Sequence, residues 1–111
     1  MMFEKNSVIS QYEINTTSLD NFFLNESLQD NTLLKIDTEG YEFNVLKGTQ
    51  KKISEIKYVL IENQFNKMYK NVDFKHCHNF LLEKNFELIK KFKFPTFHYE
   101  DRLYKNKSSS L

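Results

Sequence analysis

Asp37, Glu39, Glu62 and Asn63 are the residues of this 111-residue chain whose types and spacing could do chemistry. Asp37 and Glu39 close the run Leu33-Leu34-Lys35-Ile36-Asp37-Thr38-Glu39-Gly40. Glu62 and Asn63 close a second apolar run, Tyr58-Val59-Leu60-Ile61-Glu62-Asn63. Carboxylates gathered in one cleft can take a proton, hold a metal ion or accept hydrogen bonds from a ligand. Gly40, one of two glycines in the chain, allows a tight turn behind the acids and a close approach to the backbone. A plainer reading lets Asp37 or Thr38 cap a following helix. Glu39 and Glu42 in its first turn would then favour the helix dipole by about 0.3–1 kcal/mol each.

Other chemical groups carry less. His76-Cys77-His78 invites a metal, but consecutive residues of a helix point in different directions and do not converge on one ion. Cys77 packed inward is the expectation, and no metal site is assigned. His98 stands by itself beside Tyr99. There is no Gly-x-Gly-x-x-Gly and no phosphate-cradling loop.

The elements that must position these residues follow from periodicity. Val8–Ile14 reads as a loose strand. Thr17 is placed as the N-cap of a short helix over Ser18–Leu24 that buries Leu19, Phe22 and Phe23. Leu33–Asp37 is a short apolar strand without clean alternation, which suits a strand covered on both faces. A helical pattern follows from Tyr41 and stops at Gly48, with a further turn over Gln50–Ile56 docked by Ile53 and Ile56. Tyr58–Glu62 is the second apolar strand, and Asn63–Val72 a polar crossover. Phe74–Lys84 reads as an amphipathic helix with Phe74, Cys77, Phe80 and Leu81 inward and His78 a further candidate. Phe86–Phe92 alternates as a strand, Pro95 marks a loop, and Arg102–Lys105 is the last strand.

The order is α/β. Strands followed by helices pair in parallel through right-handed crossovers, and the last two strands, with no helix between them, are expected to be antiparallel. Ligands of such sheets bind beyond the carboxyl ends of the strands, where Asp37, Glu62 and Asn63 would share one rim.

Composition bounds the rest. The length fits one small domain. A net charge of +1, from 16 basic and 15 acidic residues, gives no electrostatic reason to expect nucleic acid. One cysteine allows no intrachain disulfide and fits a reducing compartment. No apolar run is long enough to span a bilayer, and Met-Met-Phe-Glu-Lys-Asn lacks a signal-peptide core, so the expected location is cytoplasmic with no membrane contact. Residues 107–111 are expected to be a frayed tail.

The stretch "LLKIDTEGYEFNVLKGTQKKI" closely resembles the core motif of FkbM-type methyltransferases, in which an Ile-Asp-x-Glu-Gly strand end runs into Glu-x-x-Val-Leu-Lys-Gly. "TTSLDNFF" looks like that family's Thr-Leu-Asp-Asp segment, "IKYVLIENQF" like its next strand, "FLLEKNFELIKKF" like the helix and strand near its C-terminus, and "DRLYKNK" like its last strand. The resemblance covers nearly the whole chain from about residue 8. It implies a class I S-adenosylmethionine-dependent fold with sheet order 3-2-1-4-5-7-6. This chain would be a single partial domain over residues 1–111, holding strands 4, 5, 6 and 7 of a Rossmann-like methyltransferase sheet with two crossover helices. Strands 1 to 3, with the glycine-rich cofactor loop and the acidic ribose ligand, would lie elsewhere.

By this resemblance the chain is an S-adenosylmethionine-dependent O-methyltransferase acting on a small-molecule or glycan hydroxyl, inactive without its missing half. Asp37 and Glu39 would be catalytic, Glu62 and Asn63 would bind substrate, and the cofactor-binding residues stay unassigned. In such a half-sheet the Leu33–Asp37 strand is an open edge, and an apolar edge strand invites pairing. An N-terminal half-domain or a second copy of the chain is the expected partner. Two other readings stay open: a non-catalytic α/β module pairing through that edge, and a metal-dependent phosphoesterase using Asp37, Glu39 and Glu62.

Overall fold

A computed structural model describes residues 11, 13–38, 40–64, 72–93 and 99–108. The elements in chain order are α1 (Leu19–Phe22), β1 (Leu33–Ile36), α2 (Glu42–Lys47), a 3₁₀ turn (Lys52–Glu55), β2 (Tyr58–Gln64), α3 (Val72–Glu83), β3 (Phe86–Lys93) and β4 (Tyr99–Asn106).

The four strands form one mixed sheet in the order β1-β2-β4-β3. β1 and β2 are parallel, with Leu33 beside Tyr58 and Ile36 beside Ile61. β4 runs antiparallel to both β2 and β3 and lies between them. The expected antiparallel pairing of the last two strands is therefore present. A register shift between Leu88 and Lys90 breaks the alternation of β3, a β-bulge that turns Lys90 and Lys91 by one position.

Strand alternation decides where the core sits. Val59 and Ile61 of β2, Ile36 of β1, Phe86 of β3 and Tyr104 of β4 are buried together with Leu46, Ile53, Ile56, Cys77, Phe80 and Leu81. All the helical members of this cluster meet the same sheet face, so α2, α3 and the 3₁₀ turn lie on one side. Each fully buried aliphatic side chain contributes roughly 1.5–3 kcal/mol. The opposite face carries Lys35, Tyr58, Leu60, Glu62, Asp101, Leu103 and Lys105, with Leu33 53% exposed. Among the described residues no element covers it. β1 was expected to be covered on both faces; instead Leu34 and Ile36 pack inward while Leu33 and Lys35 face outward.

Several local expectations change. The N-cap of α1 is Ser18, not Thr17: its Oγ accepts the Asn21 N–H at 3.1 Å. α1 is a single turn with no buried residue, and Phe22 is 67% exposed instead of inward. The turn is held by its flank instead. The Asp20 N–H donates to the Gly48 carbonyl at 2.9 Å, and the Asp20 carboxylate accepts the N–H of Lys51 and Lys52. Gly48 ends α2 with an ordinary φ of −85. Its lack of a side chain matters for another reason, because a Cβ there would stand 2.9 Å from the Ser18 Cβ.

The described part of the Val8–Ile14 stretch, residues 11, 13 and 14, is not strand, and the remainder lies outside the described residues. β4 begins at Tyr99, three residues before the expected start, and β2 runs on through Gln64. Asn85, with φ 70, closes α3 in the left-handed conformation that asparagine tolerates at a helix end. Lys107 and Ser108 are tied back, the Lys107 N–H to the Asn85 carbonyl at 2.9 Å and the Ser108 N–H to the Asn106 Oδ1 at 2.9 Å. Among the described residues no helix is long and apolar enough to cross a membrane.

Candidate active site

The parallel pairing of β1 and β2 brings their carboxyl ends side by side. Asp37 follows Ile36 directly, and Ile36 stands beside Ile61, so Asp37 comes level with Glu62. The two carboxyl groups line one hollow, and Asp37 acts on Glu62 both as a hydrogen-bonding neighbour and as a negative charge. Asp101 of β4 is the cross-strand partner of Glu62 on its other side. A hollow of about 170 Å³ opens here on the uncovered face, lined by Lys35, Ile36, Asp37, Leu60, Glu62 and Asp101.

The turn from β1 into α2 is shaped by Glu42. This residue, the first of α2, is 7% exposed and folds its carboxylate back over the turn. It accepts the Thr38 N–H at 3.2 Å and the Gly40 N–H at 3.1 Å. Gly40 sits at φ 115, a conformation costly for a residue with a Cβ. The capping expected of Asp37 or Thr38 is absent: the N-cap of α2 is Tyr41, with no side-chain cap, Glu42 holds the turn before it, and the Asp37 side chain is exposed at the hollow. Glu39 lies outside the described residues.

The charges of this corner act on Glu62. Burial, the Asp37 hydrogen bond, and the negative charge of Asp37, Asp101 and Glu42 push its carboxyl up from an ordinary 4.5 to about 7. Glu62 therefore keeps its proton from its ordinary range up toward neutral pH. Asp101 is also pushed up, chiefly by burial and then by Asp37, with Lys35 opposing.

Asn63 does not join this group. Successive strand residues face opposite sides, so Asn63 points into the helix-covered face, 5% exposed, and bonds to the Glu100 carboxylate. Glu100 in turn pairs with Arg102, whose guanidinium lies 4.4 Å from the centre of the Phe74 ring. The result is a buried polar brace behind the acid corner.

The His76-Cys77-His78 triplet splays as helix geometry requires. Cys77 is buried, His76 lies against Phe43, and His78 Nδ1 is 2.7 Å from the Tyr104 hydroxyl. Burial and the charges of Arg102 and Lys91 push His78 down. His98 lies outside the described residues. Among the described residues no three His, Cys, Asp or Glu side chains gather as for a metal ion, so the phosphoesterase reading gains no support.

Sequence reasoning missed Asp101 and the part played by Glu42. The signal for Asp101 was present: extending the last strand back to Tyr99 gives Asp101, Leu103 and Lys105 one common face. Glu42 was counted only for its charge.

A mixed four-stranded sheet with helices on one face is consistent with a methyltransferase-like α/β fold. The sequence model of the methyltransferase FkbM domain matches residues 3–88, and the chain belongs to that family. The match takes in β1, α2, β2 and α3 and ends in β3, so β4 with Asp101 lies beyond it. No curated protein and no solved structure matches the chain.

Proposed function

We propose that this methyltransferase domain supplies the acceptor side of an S-adenosylmethionine-dependent O-methyltransfer site, with Asp37 and Glu62 as the proton-handling pair. The observation that carries the reading is that these two carboxyl groups stand level at the ends of adjacent parallel strands and line one hollow. A hydroxyl oxygen that takes on a methyl group must give up its proton. A carboxylate pair whose proton leaves near pH 7 is matched to receiving it, a contribution of about 10²–10⁴ in rate. Asp37, exposed at the hollow, meets the acceptor first, and Glu39 is assigned a catalytic part by family resemblance alone. Asn63 serves from behind, through Glu100. The acceptor is a small molecule or a glycan carrying a free hydroxyl.

The described residues do not fit the methyl donor itself. The hollow of about 170 Å³ falls below the roughly 300–1,000 Å³ of small-molecule pockets. Of the two glycines, Gly40 gives its N–H to Glu42 and Gly48 lies against Ser18. No step through the donor is therefore derived from this chain. The order β1-β2-β4-β3 supports assigning the strands as 4, 5, 7 and 6 of the larger sheet. The donor wall would then come from polypeptide added at the outer edge of β1, as a half-domain or a second copy.

Calorimetric titration with S-adenosylmethionine tests this, with the chain by itself and with a half-domain encoded alongside it. Saturable binding in the second arm is expected, and absence of binding in both would overturn the reading. In a binding assembly Asp37→Asn should keep affinity for the donor and lose turnover by about 10²–10⁴. A second reading, a non-catalytic module, is favoured by the place of β1 at the edge of the sheet among the described residues; concentration-dependent dimerisation without donor binding would support it.

A further inference from the structure

The acid corner contains a third carboxylate that the family match does not reach. Asp101 stands directly across the β2–β4 pair from Glu62 and lines the same hollow as Asp37. Its neighbours on the uncovered face are fixed by register. Phe92 of β3 lies on its far side, and Leu60 and Leu103 form the apolar row beneath. Among the described residues, charged groups acting on Glu62 include Asp37 beyond β1, Asp101 of β4 and Glu42 of α2, while Lys35 of β1 lines the hollow and acts on Asp101.

These positions divide the work. Glu42 is committed to the Thr38 and Gly40 N–H groups, and Asp37 is exposed toward an incoming acceptor. Asp101 is held by the strand pairing on the side of Glu62 away from Asp37. A negative charge there disfavours a second negative charge on Glu62.

We propose that Asp101 is a positioning residue of this site, acting through Glu62: from across the β2–β4 pair its carboxylate adds to burial and to Asp37 in keeping a proton on Glu62. The proposal rests on the reading of the acid corner as a proton-handling site. It adds a residue from the last strand, outside the matched segment.

The test is a carbon-13 carboxyl titration of the full chain by NMR, which needs no methyl transfer. In the wild type the Glu62 carboxyl carbon should titrate near 7, and the Asp101 carbon should report the same step. In Asp101→Asn, which keeps the side-chain shape, the Glu62 midpoint should move down part of the way, because burial and Asp37 remain. Asp101→Glu should restore it. A Glu62 midpoint that stays in place in a folded Asp101→Asn chain overturns the proposal. If that variant does not fold, the wild-type spectrum decides, and an Asp101 carbon blind to the Glu62 step overturns it equally. Linked titrations in a chain that never transfers a methyl group would leave this inference standing while the functional reading falls. Transfer with unlinked titrations would do the reverse.

Discussion

Glu42 holds the Gly40 N–H at 3.1 Å from the first residue of the helix that Gly40 precedes. The carboxylate therefore closes the turn that carries Asp37 to the rim. Truncation by Glu42→Ala strands the Thr38 and Gly40 donors, at a cost of about 1–3 kcal/mol. Glu42→Gln, which keeps one acceptor oxygen, should cost less. Urea unfolding of the two variants measures the difference, and equal losses would assign the effect to charge and not to hydrogen bonding.

Gly40 and Gly48 fail differently when substituted. Gly40→Ala places a Cβ on a backbone at φ 115, which costs about 1–3 kcal/mol. Gly48→Ala leaves the backbone at ease and drives a Cβ to 2.9 Å from Ser18. The first variant should lose global stability. The second should loosen α1, seen as faster amide exchange at Asn21 and Phe22 with the sheet unchanged.

Glu62 makes stability depend on pH with an unusual sign. Its folded value of about 7 lies above the ordinary 4.5, so between them the folded chain holds a proton that the unfolded chain has lost. The corner's contribution is complete below 4.5 and is lost as pH rises through about 7. Asp101, also raised, acts in the same sense. His78, lowered from 6.5, opposes it, and Glu55 and Glu100 act only below 4.5. The clean measurement is thus a difference: Glu62→Gln should gain melting temperature relative to wild type at pH 8 and not at pH 4.5. An identical pH profile for both proteins would contradict the assignment.

Asp20 binds a turn that otherwise has little to hold it. Its carboxylate accepts the Lys52 N–H at 2.8 Å and the Lys51 N–H at 2.9 Å, capping the 3₁₀ turn from a distance. Asp20→Ala should cost about 0.5–2 kcal/mol, the range of a lost cap. Limited proteolysis near Phe22 and Phe23 should accelerate in parallel.

Much of the sheet was legible in the sequence because its strands are short apolar runs bounded by polar residues. Ile36 and Ile61 announced where β1 and β2 would end, and so where Asp37 and Glu62 would meet. The outer phase of β1 was not legible, because Leu33 is as apolar as Leu34 and only the uncovered face distinguishes them. Phe22 misled for a similar reason: a phenylalanine in a helical pattern predicts a buried face, but α1 is one turn long and lies at the margin of the core. Asn63 was grouped with Glu62 by adjacency in the chain, while the pleat of a strand sends neighbours to opposite sides. Asp101 escaped notice because alternation over Tyr99–Asn106 is blurred by charged residues on both faces, Glu100 and Arg102 inward, Asp101 and Lys105 outward.

The central place of β4 governs how the chain can assemble. β4 follows the other described strands in sequence, yet it alone joins β2 to β3. Until it arrives, β2 has one neighbour and β3 has none, so the helix-covered core cannot close around Tyr104. Folding should therefore wait on contacts remote in sequence, those between Tyr58–Gln64 and Tyr99–Asn106, and proceed at the slow pace of sheets built from remote pairings. A ribosome-bound chain lacking residues 99–106 would display β2 with a bare flank, and chaperone binding should persist until that last strand has emerged.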